Sequence, residues 1–522
     1  MRRNTAVAAA LAFLVLGACT SSGSTTAPPA SGSTSAPSVS PSTSTGSETV
    51  RLTVMEFNVE YGGTGVDFSS VPAAIQAAGA DVVGIEEAYA NTAKIADALG
   101  WKYYDPRLQL VSRLPLIDPP EGKGVYTFVE VTPGRVVAIG NVHLPSAPYG
   151  PNLVTKGASP RELMEKEEHA RVPEITPIAE KLGALAERGV PSFLTGDFNT
   201  PSHLDWTDAM VGARSQITYA FDWPVGEVVE DAGFRDSYRE IHPDPTTDPG
   251  ITWPAARPRS GGYNPGLNPG APRDRIDYVY AAGPATVTDS RIVGEDGGQD
   301  EGVDVTIDPW PSDHRAIVSS FDVTPAVPPT LVTTSQRLFE TGEDVPVTFH
   351  APGEDGETLA IVRAGDDASA ALDVRPTGSA GTTDGTVTFP SAGWGPGAYE
   401  AVLRGAGGEE LSRSPFWIQE AGTKTVVETD RPSYTQGDPI GVSWHAAPGN
   451  RFDWVGIYKR GANPHVAYYL LWLYTGATID GSTVLDKDAN GRWPLKPGAY
   501  SVYLLVDDSY RKIAGANFRV TA

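Results

Sequence analysis

The sequence predicts an α/β sandwich over residues 49–324, followed by two all-β immunoglobulin-like sandwiches over residues 325–420 and 421–522. Three observations carry this reading. From residue 50 to residue 322, short Val- and Ile-rich runs alternate with runs of helical period, the pattern of helices packed on sheets. After Pro325-Ala-Val-Pro-Pro329 the helical period disappears, and short Val/Thr/Tyr-rich runs alternate with Gly, Pro and Asp turns. The C-terminal part also repeats itself. Thr341-Gly-Glu-Asp-Val-Pro-Val-Thr-Phe-His-Ala-Pro-Gly353 matches Gln436-Gly-Asp-Pro-Ile-Gly-Val-Ser-Trp-His-Ala-Ala-Pro-Gly449, and Gly395-Pro-Gly-Ala-Tyr399 matches Lys496-Pro-Gly-Ala-Tyr500. The spacing of about 100 residues is one immunoglobulin-sized domain.

The elements follow in order. Arg2 and Arg3 precede an apolar run from Ala6 to Leu16, which is too short to cross a bilayer and reads as a signal peptide over residues 1–18. Leu16-Gly17-Ala18-Cys19 resembles a bacterial lipobox, which implies cleavage before Cys19 and acylation of its thiol. Two acyl chains anchor a protein stably where one is marginal. Cys19 is the single cysteine, so no intramolecular disulfide forms. Residues 20–48, nearly all Ser, Thr, Gly, Pro and Ala, form a flexible tether. The formal charge of −24 repels polyanions at long range and argues against a general nucleic-acid binder.

Strands are predicted at Leu52–Phe57, Ala80–Ile85, Val136–Val142, Ser192–Thr195, Ile276–Tyr280 and Ala316–Phe321. Helices are predicted at Val71–Ala78, with Pro72 in the first turn, at Thr92–Leu99, and over Arg161–Arg188 with an interruption at Pro173. One regularity stands out. The polar residues able to do chemistry recur at or beside strand ends: Asn58, Glu87, His143, Asp197, Asn199, Asp277, Asp313 and His314. Strand ends on a rigid sheet gather distant residues into one place. Glu and Asn oxygens suit Mg²⁺ or Mn²⁺, and Ca²⁺ less selectively. The chain has no Cys cluster and no HExxH, so a zinc protease is not indicated.

The segments Met55-Glu-Phe-Asn58, Asp81-Val-Val-Gly-Ile-Glu-Glu87, Ser112-Arg-Leu-Pro115, Asn141-Val-His-Leu144, Gly196-Asp-Phe-Asn199, Arg275-Ile-Asp-Tyr278 and Ser312-Asp-His-Arg315 resemble, in order, the motifs of the endonuclease/exonuclease/phosphatase superfamily. Deoxyribonuclease I, AP endonucleases, bacterial sphingomyelinases and inositol polyphosphate 5-phosphatases belong to it. The resemblance implies a deoxyribonuclease I-like fold of two sheets. It implies that Glu87 is the main metal ligand with Asn58 beside it, and that Asp313 is a metal- or water-associated carboxylate. Asp197 then orients or deprotonates the attacking water, and Asn199 holds a phosphate oxygen. His143 stabilises the phosphate or the leaving group, and His314 is a second catalytic histidine oriented by Asp277. Two departures stand out. Glu86 occupies a position that is commonly Gln, and the stretch from Trp101 to Ser112 is short by a hairpin, which predicts an open substrate groove.

Further features surround this set. The Gly/Pro-rich loop Trp253–Arg273 carries Arg257, Arg259 and Arg273 and no acidic residue before Asp274, so Arg257 and Arg259 are candidate donors to a substrate phosphate. Tyr149 lies near the site in sequence, while His169, His203 and His242 read as surface or core histidines. His350 and His445 share one repeat position, which indicates a structural role. Asp453-Trp-Val-Gly-Ile-Tyr-Lys459, with Tyr468, Tyr469, Trp472 and Tyr474 after it, resembles SKICH-like β-sandwich modules. These aromatics read as β core; exposed, they would mark glycan, lipid or protein binding.

The expected function is extracellular, metal-dependent hydrolysis of a phosphate ester, first of all a phosphodiester in the manner of a nuclease. Phosphomonoesters and sphingomyelin or inositol phosphates are the alternatives within that class. A surface-binding protein that uses the fold as a scaffold is the alternative outside it.

Overall fold

The computed structural model describes residues 48–256, 271–450, 452–464 and 467–522. Cys19, Arg257 and Arg259, together with the signal peptide and most of the tether, lie outside the described residues.

Among the described residues, thirteen strands build two sheets in the first part of the chain. They are β1 (Val50–Glu56), β2 (Val82–Gly84), β3 (Tyr103–Asp105), β4 (Leu110–Ser112), β5 (Leu116–Ile117), β6 (Thr127–Thr132), β7 (Arg135–His143), β8 (Ser192–Asp197), β9 (Arg235–Asp236), β10 (Asp277–Ala282), β11 (Ala285–Gly294), β12 (Val303–Thr306) and β13 (Ala316–Val323). The order is β12-β11-β13-β1-β2-β4-β3 in one sheet and β5-β6-β7-β8-β10-β9 in the other. The central strands are apolar on both faces because both faces are covered. Leu52 and Val54 of β1 meet Ile139, Phe193 and Val279 of the opposite sheet. Met55 of β1 faces outward, against the Ile75 and Ile95 side chains of helices Ser70–Ala78 and Thr92–Leu99. Helix Val172–Glu187 covers the other sheet, with Ile178 and Leu182 on Ala138 and Leu194.

The long helical stretch is two helices, Pro160–Ala170 and Val172–Glu187, broken at Arg171, with Pro173 in the first turn of the second. The first begins on a capping box: the Ser159 hydroxyl accepts from the Glu162 N–H while the Glu162 carboxylate accepts from the Ser159 N–H. The stretch expected to lack a hairpin does form one, since β3 pairs antiparallel with β4. The turn closes because the Asp105 carboxylate accepts from the backbone and guanidinium of Arg107.

Register brings the chemistry to one end. β1 runs parallel to β2, and β7 parallel to β8, with His143 opposite Asp197. β10 is antiparallel to β8 and begins where β8 ends, so Asp277 also faces Asp197. Near the same end Gly84 lets the sheets approach closely. A Cβ there would fall 2.2 Å from Asn141 Oδ1 and 2.4 Å from Thr195 Oγ1.

The rest of the chain is all β. From Leu331 to Gln419 it forms a three-stranded and a five-stranded sheet, and from Val426 to Thr521 a three-stranded and a six-stranded sheet. The repeated motif has a visible cause: the Tyr399 hydroxyl donates to Gly395 O and the Tyr500 hydroxyl to Lys496 O, each at 2.5 Å. The shared histidines are structural in both copies, His350 pairing with Asp384 and His445 with Asp480.

Candidate active site

Asp197 ends β8 and is buried. One carboxylate oxygen accepts from the Asn199 N–H at 2.9 Å, and the other, Oδ2, accepts from the Asn58 side-chain amide at 3.0 Å. Asn199 takes the left-handed conformation (φ 51°), which Asn tolerates better than most residues, and this turns the chain away from the strand end. One hydrogen of its side-chain amide goes to Leu144 O.

Two imidazoles converge on Asp197 Oδ2. His314 Nε2 lies 3.7 Å from it and His143 Nε2 3.5 Å. Behind each ring stands another carboxylate. His314 Nδ1 is 3.0 and 3.1 Å from the two oxygens of buried Asp277. His143 Nδ1 is hydrogen-bonded to Asp508, a residue of the second β-sandwich. The Ser312 hydroxyl donates to Asn58 O and accepts from the His314 N–H, which ties the start of β13 to the end of β1.

The electrostatics follow from this crowding. Burial alone would lower the His143 pKa, but the carboxylates of Asp508, Asp197 and Glu87 outweigh it and hold the imidazole at about 10. Burial opposes protonation of His314 as well, and Asp277 with Asp197 overcomes it, so that ring is also held well above its usual value. Both rings are thus biased toward the cationic form, with Nε2 turned toward Asp197. Asp197 is raised, chiefly by burial, against the pull of His314.

Glu56 and Glu86 form a buried acidic pair beside these groups. Glu56 Oε1 accepts from the Asn58 N–H, while among the described residues Glu56 Oε2 and both Glu86 oxygens meet no donor beyond each other's carboxyl group. Burial first, and then Asp277 and Glu86, push Glu56 well up; burial raises Glu86 to about 7. A shared proton or a bound cation satisfies such a pair. Orphaned, buried, hard oxygens are what a divalent ion such as Mg²⁺ requires, so the residues present fit one. Asp197, Asp277 and His314 have ligand atoms all within 4.8 Å of one another. Glu87 faces the same space in a left-handed conformation (φ 52°), its carboxylate accepting from the Tyr61 N–H at 3.3 Å, and burial raises its pKa. The Asp313 carboxylate accepts from the Trp253 indole N–H at 3.3 Å.

A cavity of about 690 Å³ opens over these groups. Glu87, His143, Asp197, Asn199, Asp313 and His314 line it, while Asn58 and Asp277 stand behind as partners of Asp197 and His314. The far wall was not foreseen. Trp454, Tyr469, Trp472, Tyr474, Asp508 and Tyr510 of the second β-sandwich form it, so the groove predicted to be open is closed on that side. Contacts hold the wall in place: the Ala90 N–H donates to Asp507 at 2.7 Å, and the Tyr474 hydroxyl donates to Asp508 at 3.2 Å. Tyr149 also lines the cavity, its hydroxyl on Asp274 at 3.1 Å, and so does His169. Arg273 is held by Glu301, and His203 and His242 bond to Glu230 and to Ser290 O away from the cavity. The excess of aromatics in the second repeat was the one sequence signal for the far wall; Asp508 had none.

Residues 55–314 match the model of the Endonuclease/Exonuclease/phosphatase family. The uncharacterized protein F14F9.5 of Caenorhabditis elegans is 29% identical over 255 residues, which is 45% of this chain and 79% of that protein. Among solved structures, an endonuclease/exonuclease/phosphatase from Beutenbergia cavernae is 18% identical, with a TM-score of 0.34, covering 70% of this chain and 99% of its own. The AP endonuclease LMAP from Leishmania major is 14% identical, with a TM-score of 0.33, covering 52% and 88%. The part of the chain that carries Asp197 and both of its flanking histidines is, by its sequence motifs, a member of the endonuclease/exonuclease/phosphatase family.

Proposed function

We propose that this protein hydrolyses phosphate esters with the help of a divalent cation, Mg²⁺ or else Mn²⁺ or Ca²⁺. The observation that supports this most directly is one buried carboxylate oxygen, Asp197 Oδ2, flanked by two imidazole Nε2 atoms at 3.5 and 3.7 Å. Asp197 is placed to accept a proton from water, and its raised pKa improves it as a base. The two cationic rings donate to the phosphoryl and leaving-group oxygens, where negative charge grows in the transition state. Asp277 fixes the proton of His314 on Nδ1–H and aims Nε2 at the reacting group. The second amide hydrogen of Asn199 is available to a phosphate oxygen. The oxygens of Asn58, Glu87 and Asp313, with the orphaned ones of Glu56 and Glu86, would hold the cation, and when bound it supplies charge neutralisation at the phosphoryl group.

The first assay is hydrolysis of bis-(p-nitrophenyl) phosphate by the full chain with each of the three cations in turn. A phosphomonoester, sphingomyelin, an inositol phosphate and duplex DNA complete the panel. Hydrolysis that EDTA abolishes and added metal restores is expected. No turnover of any ester would favour the scaffold alternative. The site of action proposed is the cell surface, with the chain anchored through a lipid on Cys19. Labelled palmitate entering the wild type and a Cys19→Ala variant equally would remove that part of the reading.

A further inference from the structure

The second β-sandwich is more than a neighbour of the catalytic domain, because its side chains close the cavity in which the chemistry sits. We infer that this wall is a substrate subsite, and that the substrate is a small phosphate ester whose alcohol carries a ring. This inference rests on the phosphoesterase reading and narrows it. Three observations support it. The cavity, about 690 Å³, lies in the range of roughly 300–1,000 Å³ that encloses a small ligand. The wall is aromatic and braced: Trp454 packs edge-on to Tyr469, Trp472 and Tyr510 at 5.7, 6.0 and 6.0 Å between centroids, and Trp472 to Tyr474 at 4.9 Å. Such a wall offers flat, stiff faces to a planar or sugar ring at little entropic cost. Among the described lining residues Arg492 is the one Lys or Arg; it is exposed, at the rim of the cavity on the sandwich side, where a ligand's residual negative charge can meet it. The Ala90–Asp507 and His143–Asp508 contacts hold this wall against the catalytic domain, which favours a small ester over a nucleic-acid duplex.

The test uses the full chain and a matched pair of esters, 4-nitrophenyl phosphate with a ring and ethyl phosphate without one. A nucleoside 5′-monophosphate, a hexose phosphate and duplex DNA join them, to tell planar rings from sugars and small esters from polymers. The Tyr469→Ala/Tyr510→Ala variant should raise KM for ring-bearing esters about tenfold, the equivalent of one stacking contact, and leave KM for ethyl phosphate within about twofold. Tyr469→Leu/Tyr510→Leu, which keeps apolar bulk, guards against loss of folding and should act in the same direction. Equal KM changes for both esters, or duplex DNA turned over as fast as the small esters, would overturn the subsite. Should the wild type hydrolyse nothing yet bind 4-nitrophenyl phosphate by tryptophan quenching, more weakly in the variants, the subsite stands and the phosphoesterase reading falls. Absence of both turnover and binding removes both.

A separate observation carries a second assignment. His314 has a carboxylate behind Nδ1 from its own domain, Asp277, whereas His143 has one from about 365 residues away, Asp508. The two rings meet the same Asp197 oxygen, so they are built alike. The geometry points to Asp508 as the positioning residue of His143, with the Tyr474 hydroxyl on Asp508 Oδ1 fixing the carboxylate in turn. Asp508→Asn should lower kcat about 10- to 100-fold, the usual cost of losing a partner behind a functional His, with KM within about twofold and an unchanged melting temperature. Asp508→Glu should recover part of that loss, and Tyr474→Phe should lower kcat more mildly. A kcat within twofold of wild type in Asp508→Asn, or parallel losses of kcat, KM and melting temperature, would show that Asp508 only glues the domains together.

Discussion

Replacing Asp277 by Asn is the sharpest probe of how the site works. The carboxylate is fully buried, and both of its oxygens stand 3.0–3.1 Å from His314 Nδ1. The substitution conserves size and removes the charge. A hydrogen bond to a charged partner contributes about 1.5–3 kcal/mol. At about 1.4 kcal/mol per factor of ten, that alone predicts a loss of some 10- to 150-fold. The amide can also turn its NH₂ toward Nδ1, which strips the ring of its Nδ1 proton and leaves it neutral, so that Nε2–H faces Asp197 without the positive charge. The expected fall in kcat is therefore about 100-fold or more at pH 7.5. It should be smaller near pH 6, because losing Asp277 lowers the His314 pKa and acid restores the cationic ring. Initial rates on bis-(p-nitrophenyl) phosphate at saturating Mn²⁺, with circular dichroism to verify folding, measure it. Activity within threefold of wild type in a folded variant would show that His314 does not act in the reaction.

Other outcomes follow from the same geometry. Glu87→Ala or His314→Ala should cut turnover at least about 100-fold, measured by the same assay, and EDTA should give a comparable loss that added metal reverses. Asp453, buried in the second sandwich, is pushed by burial up to about 7. Its folded carboxyl thus holds a proton that the unfolded chain, with an ordinary Asp, has released, so stability should fall as pH rises from about 4 to 7. The loss is at most roughly 4 kcal/mol; urea melts at pH 5 and 7.5 should reveal the slope, and Asp453→Asn should reduce it, the buried carboxyl of neighbouring Asp507 being raised as well. Arg171 and Glu167 form a fully buried pair at 2.7 Å, with Arg171 also donating to Pro148 O. Arg171→Ala strands Glu167 and should cost about 3–5 kcal/mol, whereas Arg171→Met with Glu167→Leu should recover most of it by the same urea melts.

Much of this was legible in the chain because the relevant signals are local. Continuous apolar runs give β1, β7 and β8 to within two residues or so, since strands covered on both faces need them. Polar residues at the ends of those runs marked Asn58, His143 and Asp197, because a strand end on a rigid sheet is where a side chain can be both fixed and accessible. The interruption near Pro173 was readable because proline fits the first turn of a helix, although Pro177 sits inside the same helix. What could not be read depends on docking. No local pattern tells that an Asp in a turn 14 residues from Ala522 meets His143, or that Tyr469 and Tyr510 face a catalytic cavity rather than only their own core. The buried facing of Glu56 and Glu86 was equally silent, since alternation in β1 does not say which opposite carboxylate it will confront.

Gly84 has a consequence of its own. One bank of the site, carrying Glu86 and Glu87, continues from β2, and the other, carrying His143 and Asp197, from β7 and β8. What sets the width of the channel between them is a single hydrogen atom, with Asn141 and Thr195 pressed against it and bonded to each other at 2.7 Å. A methyl group at this point would act as a wedge, and the protein would keep every polar group of the site and a sound hydrophobic interior while its two banks stood too far apart to close on one small ligand.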